Sequence, residues 1–256
     1  MEQDLALPPA ADIRLLARVA AILRIVAAER QSRRLSDIAE ATGLSKATTH
    51  RLLAGLCAEE LLEKSAEDGS YRLGPLACRI GASASGPQAL RARARPVLAR
   101  IAQATGETAL MFQQAPTGAA AICIEQIESA HGLRLVAEIG SRMPLHAGGG
   151  PRAILAHLPK EEVSAVLAPL PAAAARRVRS LISETLASGY AMSFQETNDG
   201  VSGIGVPFFD ARRRVLGSVA LVGPLSRVDN ARLLELAPLL MEAAAEITAM
   251  QEGNTR

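Results

Sequence analysis

Aromatic side chains make up only 2% of the 256 residues, with two Tyr, four Phe and no Trp. That scarcity argues against a function built on stacking platforms, such as the aromatic ladders that read splayed RNA or single-stranded DNA. Cysteine is almost as rare. Cys57, Cys78 and Cys123 are odd in number, widely spaced and contain no C-x-x-C pair. Neither a disulfide framework nor a zinc knuckle is expected, and Cys57 and Cys78 read as small buried apolar residues in a reducing compartment. No apolar run approaches the roughly 18 residues of a membrane helix, and the opening MEQDLALPPAAD is acidic where a signal peptide is basic. These absences predict a soluble cytoplasmic protein with no membrane partner. Large charge of either sign is missing too, because the net charge is only +2. Any nucleic-acid site must therefore be a local patch.

What is present is an ordinary globular composition, 49% hydrophobic and 21% charged, on a chain long enough for two domains with separate cores. Residues 1–85 carry eleven basic and eleven acidic side chains, whereas residues 86–104 carry four basic and none acidic. Inside the neutral first segment, Arg30, Arg33, Arg34, Lys46 and Arg51 face only Asp37 and Glu40, so residues 30–51 are locally +3.

Leu15, Leu16, Val19, Ile22, Leu23 and Val26 recur at helical spacing over residues 12–28. Ser36 then suits the cap of a second helix that runs to Thr42 and stops at Gly43. Ser45 suits the cap of a third, with Thr49, Leu52, Leu53 and Leu56 as its apolar stripe. LLEKS and YRLG follow as short strands around an Asp68-Gly69 turn. This pattern predicts a helix-turn-helix with a wing. Residues 75–104 read as a broken helical connector, hinged at Gly86-Pro87 and basic at Arg91, Arg93, Arg95 and Arg100. From about Glu107, ETALMFQQA, AAAICIEQI and LRLVAEI read as strands, divided at Thr117-Gly118 and His131-Gly132. Helices at 151–157, 161–167 and 172–188, strands at 190–194, 201–209 and 215–222, and a helix from Asp229 complete an α+β domain with a largely antiparallel sheet.

A recognition helix presents short polar and basic groups near its N-terminus to the major groove. SKATTHR meets that need. Ser45 and Thr48 can reach phosphates or base edges, Lys46 and Arg51 can neutralise phosphate or read guanine, and His50 can donate. Arg33 and Arg34 suit phosphate contacts, and Arg72 on the wing can reach the flanking backbone. The bland alternative for each is a solvated surface side chain.

LSDIAEATGLSKATTHRLLAGLCAEELLEKSAEDGSYRLG resembles the winged helix-turn-helix of the IclR family of bacterial transcription regulators. MPLHAGGGPRAILAHLP resembles that family's effector-loop segment, and GYAMSFQETNDGVSGIGVPFFDARRRVLGSVALVGPLSRV its terminal strands. The resemblance runs from about Ile13 to Ile247. It implies a DNA-binding domain over 1–74, a linker helix over 75–104 used in dimerisation, and a GAF-like effector-binding domain over 105–256. Double-stranded promoter DNA, a small organic acid and a second copy of the chain, as dimer or tetramer, are the implied partners. No cofactor, metal or catalytic residue is implied.

Three glycines, Gly148 to Gly150, precede a helix expected to start at Pro151, and exposed N–H groups beside a helix start favour an anion. A flexible surface loop is the bland reading. Carried over by the resemblance, the effector positions are Leu145, Gly149, Gly150, Ser193, Gly203, Ala220 and Val222. This set is less polar than the family's keto-acid type, with Gly203 and Ala220 expected to leave space. It implies a larger, more apolar effector such as an aromatic carboxylate, with a small keto acid as the alternative. The span between Leu158 and Gly189 is shorter than the family's, and its Thr-rich loop is absent, which implies a more open site or one closed by a partner subunit.

An enzyme is the competing class. Gly148-x-Gly150-x-x-Ala153 superficially matches a dinucleotide fingerprint, but no βαβ unit surrounds it. His146 beside the glycines lacks a G-x-S-x-G nucleophile, and His131 and His157 have no ligand cluster. A ligand-sensing module without DNA is the other alternative, and it leaves the basic helix trio unexplained.

Overall fold

In the computed structural model, which describes residues 13–27, 32–83, 85–116 and 119–252, the first apolar periodicity forms helix α1 (Ile13–Ala27). Ile22 and Val26, one turn apart, are buried, while Leu15 and Leu16 stay exposed. Helix α2 (Leu35–Thr42) starts a residue earlier than the expected Ser36 cap. Arg34 is the cap residue, and its backbone N–H reaches the Asp37 carboxylate at 3.4 Å. Ser36 instead donates to that carboxylate, because its hydroxyl already lies inside the first turn. Gly43 ends α2 at φ 68°, a conformation only glycine adopts without strain. Helix α3 (Lys46–Ala58) begins as expected, with Ser45 Oγ accepting from the Thr48 N–H at 3.2 Å.

Strands β1 (Leu62–Lys64) and β2 (Tyr71–Leu73) pair antiparallel, and the Arg33 backbone exchanges two hydrogen bonds with Tyr71 to stitch the wing to the start of α2. Ile22, Val26, Ile38, Leu53, Leu56, Leu62 and Tyr71 form one core under these elements. Helix α4 (Pro75–Ser83) follows, tied back by Arg79 to Glu60. Cys78 on it is exposed, contrary to the expectation of a buried thiol, and Cys57 is half-buried.

Contacts divide the chain between Ser85 and Gly86. Helix α5 (Ser85–Thr105) carries Gly86-Pro87 in its first turn, so the expected hinge dipeptide is helical. A proline there forgoes only an N–H that has no carbonyl to meet. The second unit then runs β3 (Thr108–Gln114), β4 (Ala120–Ile127), β5 (Arg142–Pro144), α6 (Gly149–Leu155), α7 (Lys160–Leu167), α8 (Ala172–Ser188), β6 (Ala191–Phe194), β7 (Val201–Phe209), β8 (Val215–Pro224) and α9 (Asn230–Glu252). Its six strands form one antiparallel sheet in the order β5-β4-β3-β8-β7-β6. Ala109, Met111, Val219 and Leu221 pack with α5 and α9, while Leu110, Phe112 and Ala220 pack with α6, α7 and α8. Burial on both faces explains why these strands read as continuous apolar runs.

Two further expectations change. LRLVAEI is not a strand: the edge of β4 is taken by β5 at Ala120–Ile122 and by Gly140 and Ser141 at Cys123. Side chains serve its backbone instead, with Thr108 donating to the Leu135 carbonyl and Gln126 accepting from the Ala137 N–H. Helix α6 also begins two residues before Pro151, so Gly149 and Gly150 are helical rather than loop. The opening peptide through Asp12, Arg30 and the Thr117-Gly118 turn lie outside the described residues.

Candidate DNA-reading face and effector site

The face of α3 opposite its buried Thr49, Leu53 and Leu56 presents Lys46, Ala47, His50 and Arg51, all exposed. Spacings of three and four place these four side by side. Arg51 and Lys46 form no ion pair among the described residues, so each is available to a phosphate or a guanine edge. Ser45 and Thr48 are tied to each other: Ser45 Oγ caps the helix and donates to Thr48 Oγ1 at 2.9 Å. Arg34 is exposed, whereas Arg33 is half-buried and its backbone holds the wing. Arg72 is exposed but pairs with Glu63, so it must leave that partner to meet DNA. At the wing turn, hydrogen bonds from the Ser70 side chain and backbone hold the Asp68 carboxyl down at about 2. The turn is thus anionic at neutral pH and is the part of the wing least suited to a phosphate.

The basic connector is largely spent inside the second unit. Arg91 Nε and Arg95 Nη1 each reach the buried Glu125 carboxylate on β4 at 2.9 Å, and Arg100 pairs with Glu246 on α9. Burial works against ionising Glu125, yet the hydrogen bonds from Arg91, Gln126 and Arg95 outweigh it and hold its carboxyl below the usual range. Of the four connector arginines only Arg93 has no such partner among the described residues, so most of the connector's positive charge is neutralised within the second unit.

The seven expected effector positions come together around one face of the sheet. Ser193, Gly203 and Val222 lie in one row across β6, β7 and β8, and Gly205 and Ala220 lie in the next. Most of the set is closed, however. A Cβ on Gly149 would stand 2.7 Å from the Ala191 carbonyl, and one on Gly150 would strike the Phe112 ring at 2.6 Å. These glycines let α6 lie directly on the sheet. Space at Gly203 is taken by the Leu221 carbonyl and the Val222 side chain, and Ala220 and Leu145 are buried. Only Ser193 and Val222 are partly open.

Two residues beside this set were not singled out from the sequence. Arg152, one turn into α6, is 1% exposed. Its Nη1 donates to Glu196 at 2.5 Å and its Nη2 to the Met192 carbonyl on the free edge of β6. Glu196, in the turn between β6 and β7, also accepts the Gly148 N–H at 3.0 Å. Both residues line a cavity of about 320 Å³ between β6 and α8, with Arg177, Tyr190, Met192 and Phe194 on other walls. An arginine inside the apolar run PRAILAHL was the available signal, since it must either leave the helix's buried face or find a carboxylate.

His157 sits at the end of α6, with Nδ1 on the Ala153 carbonyl and its ring edge on Phe209, and His131 lies in a turn. Among the described residues no cluster of His, Cys, Asp or Glu is arranged to hold a metal, and no helix is long and apolar enough to cross a membrane. Burial pushes the Cys123 thiol up to about 11.

Residues 15–66 match the IclR helix-turn-helix domain, and residues 83–249 match the C-terminal domain of bacterial IclR transcriptional regulators. The chain belongs to the IclR family. The transcriptional repressor IclR of Escherichia coli (strain K12) is 27% identical over 96% of this chain and 93% of its own length. The glycerol operon regulatory protein of Streptomyces griseus is 31% identical over 93% and 96%. Among solved folds, IclR of Thermotoga maritima matches with a TM-score of 0.73 at 21% identity, over 94% of this chain and all of its own. An IclR homologue from Microbacterium hydrocarbonoxydans, solved with 4-hydroxybenzoate, matches at 0.76 and 24% over the same shares. The curated relatives are named as regulators rather than enzymes, and this IclR-family chain is a DNA-binding transcriptional regulator of α+β fold.

Proposed function

We propose that this regulator reads a pseudo-palindromic promoter site as a symmetric dimer or dimer of dimers, and that a small organic acid bound in the second unit sets its affinity for that site. The exposed face of α3 carries the DNA part. Lys46 and Arg51 neutralise phosphate or read guanine, His50 and Thr48 add polar contacts, the Ala47 methyl meets thymine, and Arg34 and Arg72 reach the flanking backbone. Ser45 and Arg33 act chiefly by placing α3 and the wing. Helices α4 and α5 link the reader to the sensor and provide a dimerisation element.

For the effector we favour an aromatic carboxylate over a keto acid. The observation that carries this is the apolar character of Gly203, Ala220 and Val222 in two adjacent rows of the sheet, which leaves Ser193 as the one polar side chain there for a small hydrophilic acid. The 4-hydroxybenzoate bound by the Microbacterium homologue is of that class. A ligand that binds the DNA-competent and DNA-incompetent arrangements unequally shifts their populations. The test is thermal denaturation of the purified protein with benzoate, 4-hydroxybenzoate and pyruvate. Stabilisation by the aromatic acids is expected, and stabilisation by pyruvate alone would overturn the choice of effector class.

A further inference from the structure

Arg152 is the only arginine with a buried side chain among the described residues. A cation withdrawn from water is tolerated only when paired and hydrogen-bonded on all sides, and this one is not. Its Nε has no hydrogen-bond partner. Its carboxylate partner is also used economically: a single oxygen of Glu196 receives both Arg152 Nη1 and the Gly148 N–H. A guanidinium is built for two parallel bonds to one carboxylate, and Glu196 supplies one. Glu196 is anchored in a turn rather than a packed element. Gln195 before it sits at φ 55°, in the left-handed region, and Thr197, Asn198, Asp199 and Gly200 after it are all exposed.

The cavity beside this pair lies at the low end of the volumes that small-molecule sites occupy. Its walls combine the apolar Met192 and Phe194 with Tyr190, a second carboxylate, Glu184, and a second cation, Arg177, which has no ion-pair partner among the described residues. An acid with an apolar body fits that chemistry, its carboxylate toward the arginines and its body on the β6 side chains.

We propose that Arg152 is a carboxylate anchor for the effector, and that Glu196 is a resident carboxylate which the effector displaces. Displacement frees the β6–β7 turn from both Arg152 and Gly148, and that turn is the element whose position reports occupancy. The anchor meets β6 at the Met192 carbonyl, next to Ser193 in the chain, and rests on the reading that this regulator senses an organic acid.

The test is chemical rescue. Glu196→Ala leaves Arg152 buried without its carboxylate, so the variant should melt well below the wild type. Sodium acetate should restore most of the lost Tm where sodium chloride of equal ionic strength does not, and Arg152→Met in the same background should abolish the rescue. Equal behaviour in acetate and chloride, or rescue that survives Arg152→Met, overturns the anchor. Glu196→Gln, which keeps the side-chain volume, covers the case in which the alanine variant does not fold. Titrated with benzoate and pyruvate, it should bind its preferred acid about tenfold more tightly than wild type, a competitor worth roughly 1.4 kcal/mol having been removed. Unchanged or weaker binding overturns displacement and leaves acid sensing intact. Acetate rescue without binding of either acid to either protein supports the anchor and counts instead against acid sensing.

Discussion

Helix α3 in the first unit and helix α6 in the second hold their basic side chains in opposite ways. On α3, Arg51 and Lys46 stand in solvent with no ion-pair partner among the described residues, on a face whose reverse carries the core of the winged helix. In the second unit Arg152 is buried against Glu196, and Arg91 and Arg95 converge on a buried Glu125. A solvated cation contributes little to the fold and is free to meet an external polyanion. A buried one is part of the fold, and can act on a ligand only by exchanging its partner. Reading and sensing thus place the same kind of side chain in different environments.

Substitutions can break that contrast. The largest effect on stability is expected for Arg152→Met, which leaves Glu196 without its cation. Loss of one member of a buried pair costs about 3–5 kcal/mol, and the 17% exposure of Glu196 places this case at the lower end. Chemical denaturation measures it, and wild-type stability would erase the distinction between the two arginine environments. Lys46→Ala with Arg51→Ala should leave the melting curve within about 0.5 kcal/mol of wild type. Operator affinity should fall by about 1–3 kcal/mol per lost contact, with a shallower salt dependence wherever the lost contact is to phosphate. Unchanged affinity would remove α3 as the reading helix.

Glu125→Gln sits between these extremes, because its carboxylate is buried while its two arginines are partly exposed. Solvent screening at the arginines reduces the expected loss at pH 7 to about 1–2 kcal/mol. The folded pKa of Glu125 lies below its unfolded value. Its contribution is therefore fully present above the unfolded pKa, about 4.3, and fades as pH falls through the lower folded value. Stability curves of wild type and variant should converge in that acid window, and a constant gap down to pH 2 would contradict the assignment. The smallest effect is expected for Ser45→Ala, about 1 kcal/mol of stability through loss of the α3 cap. A loss of DNA affinity with no loss of stability would instead make Ser45 a direct DNA contact.

The same contrast explains what could be read in the sequence. The α2-turn-α3 segment was legible because its signals are local: Gly43 ends one helix, Ser45 caps the next, and Thr49, Leu53 and Leu56 repeat at helical spacing. Strands β3, β7 and β8 were legible because both their faces are covered. LRLVAEI carries the same strand-like composition, but its fate depends on which segment pairs with the edge of β4, and that is settled by β5 and Cys123. Gly149 and Gly150 looked like an open anion-binding loop, yet their lack of a Cβ serves the close approach of α6 to Phe112 and Ala191. Arg152 and Glu196 are 44 residues apart, and Arg91 and Arg95 meet Glu125 across about thirty residues, so no local pattern joins them.

A ligand-responsive regulator requires that an acid bound in the second unit change what the first unit does. The direct measurement is the affinity of the full-length protein for its operator, selected from a random-sequence pool, with and without saturating benzoate. The prediction is a two-fold symmetric operator whose affinity shifts by tenfold or more, about 1.4 kcal/mol of coupling. Benzoate that binds the protein but leaves operator affinity unchanged would contradict it.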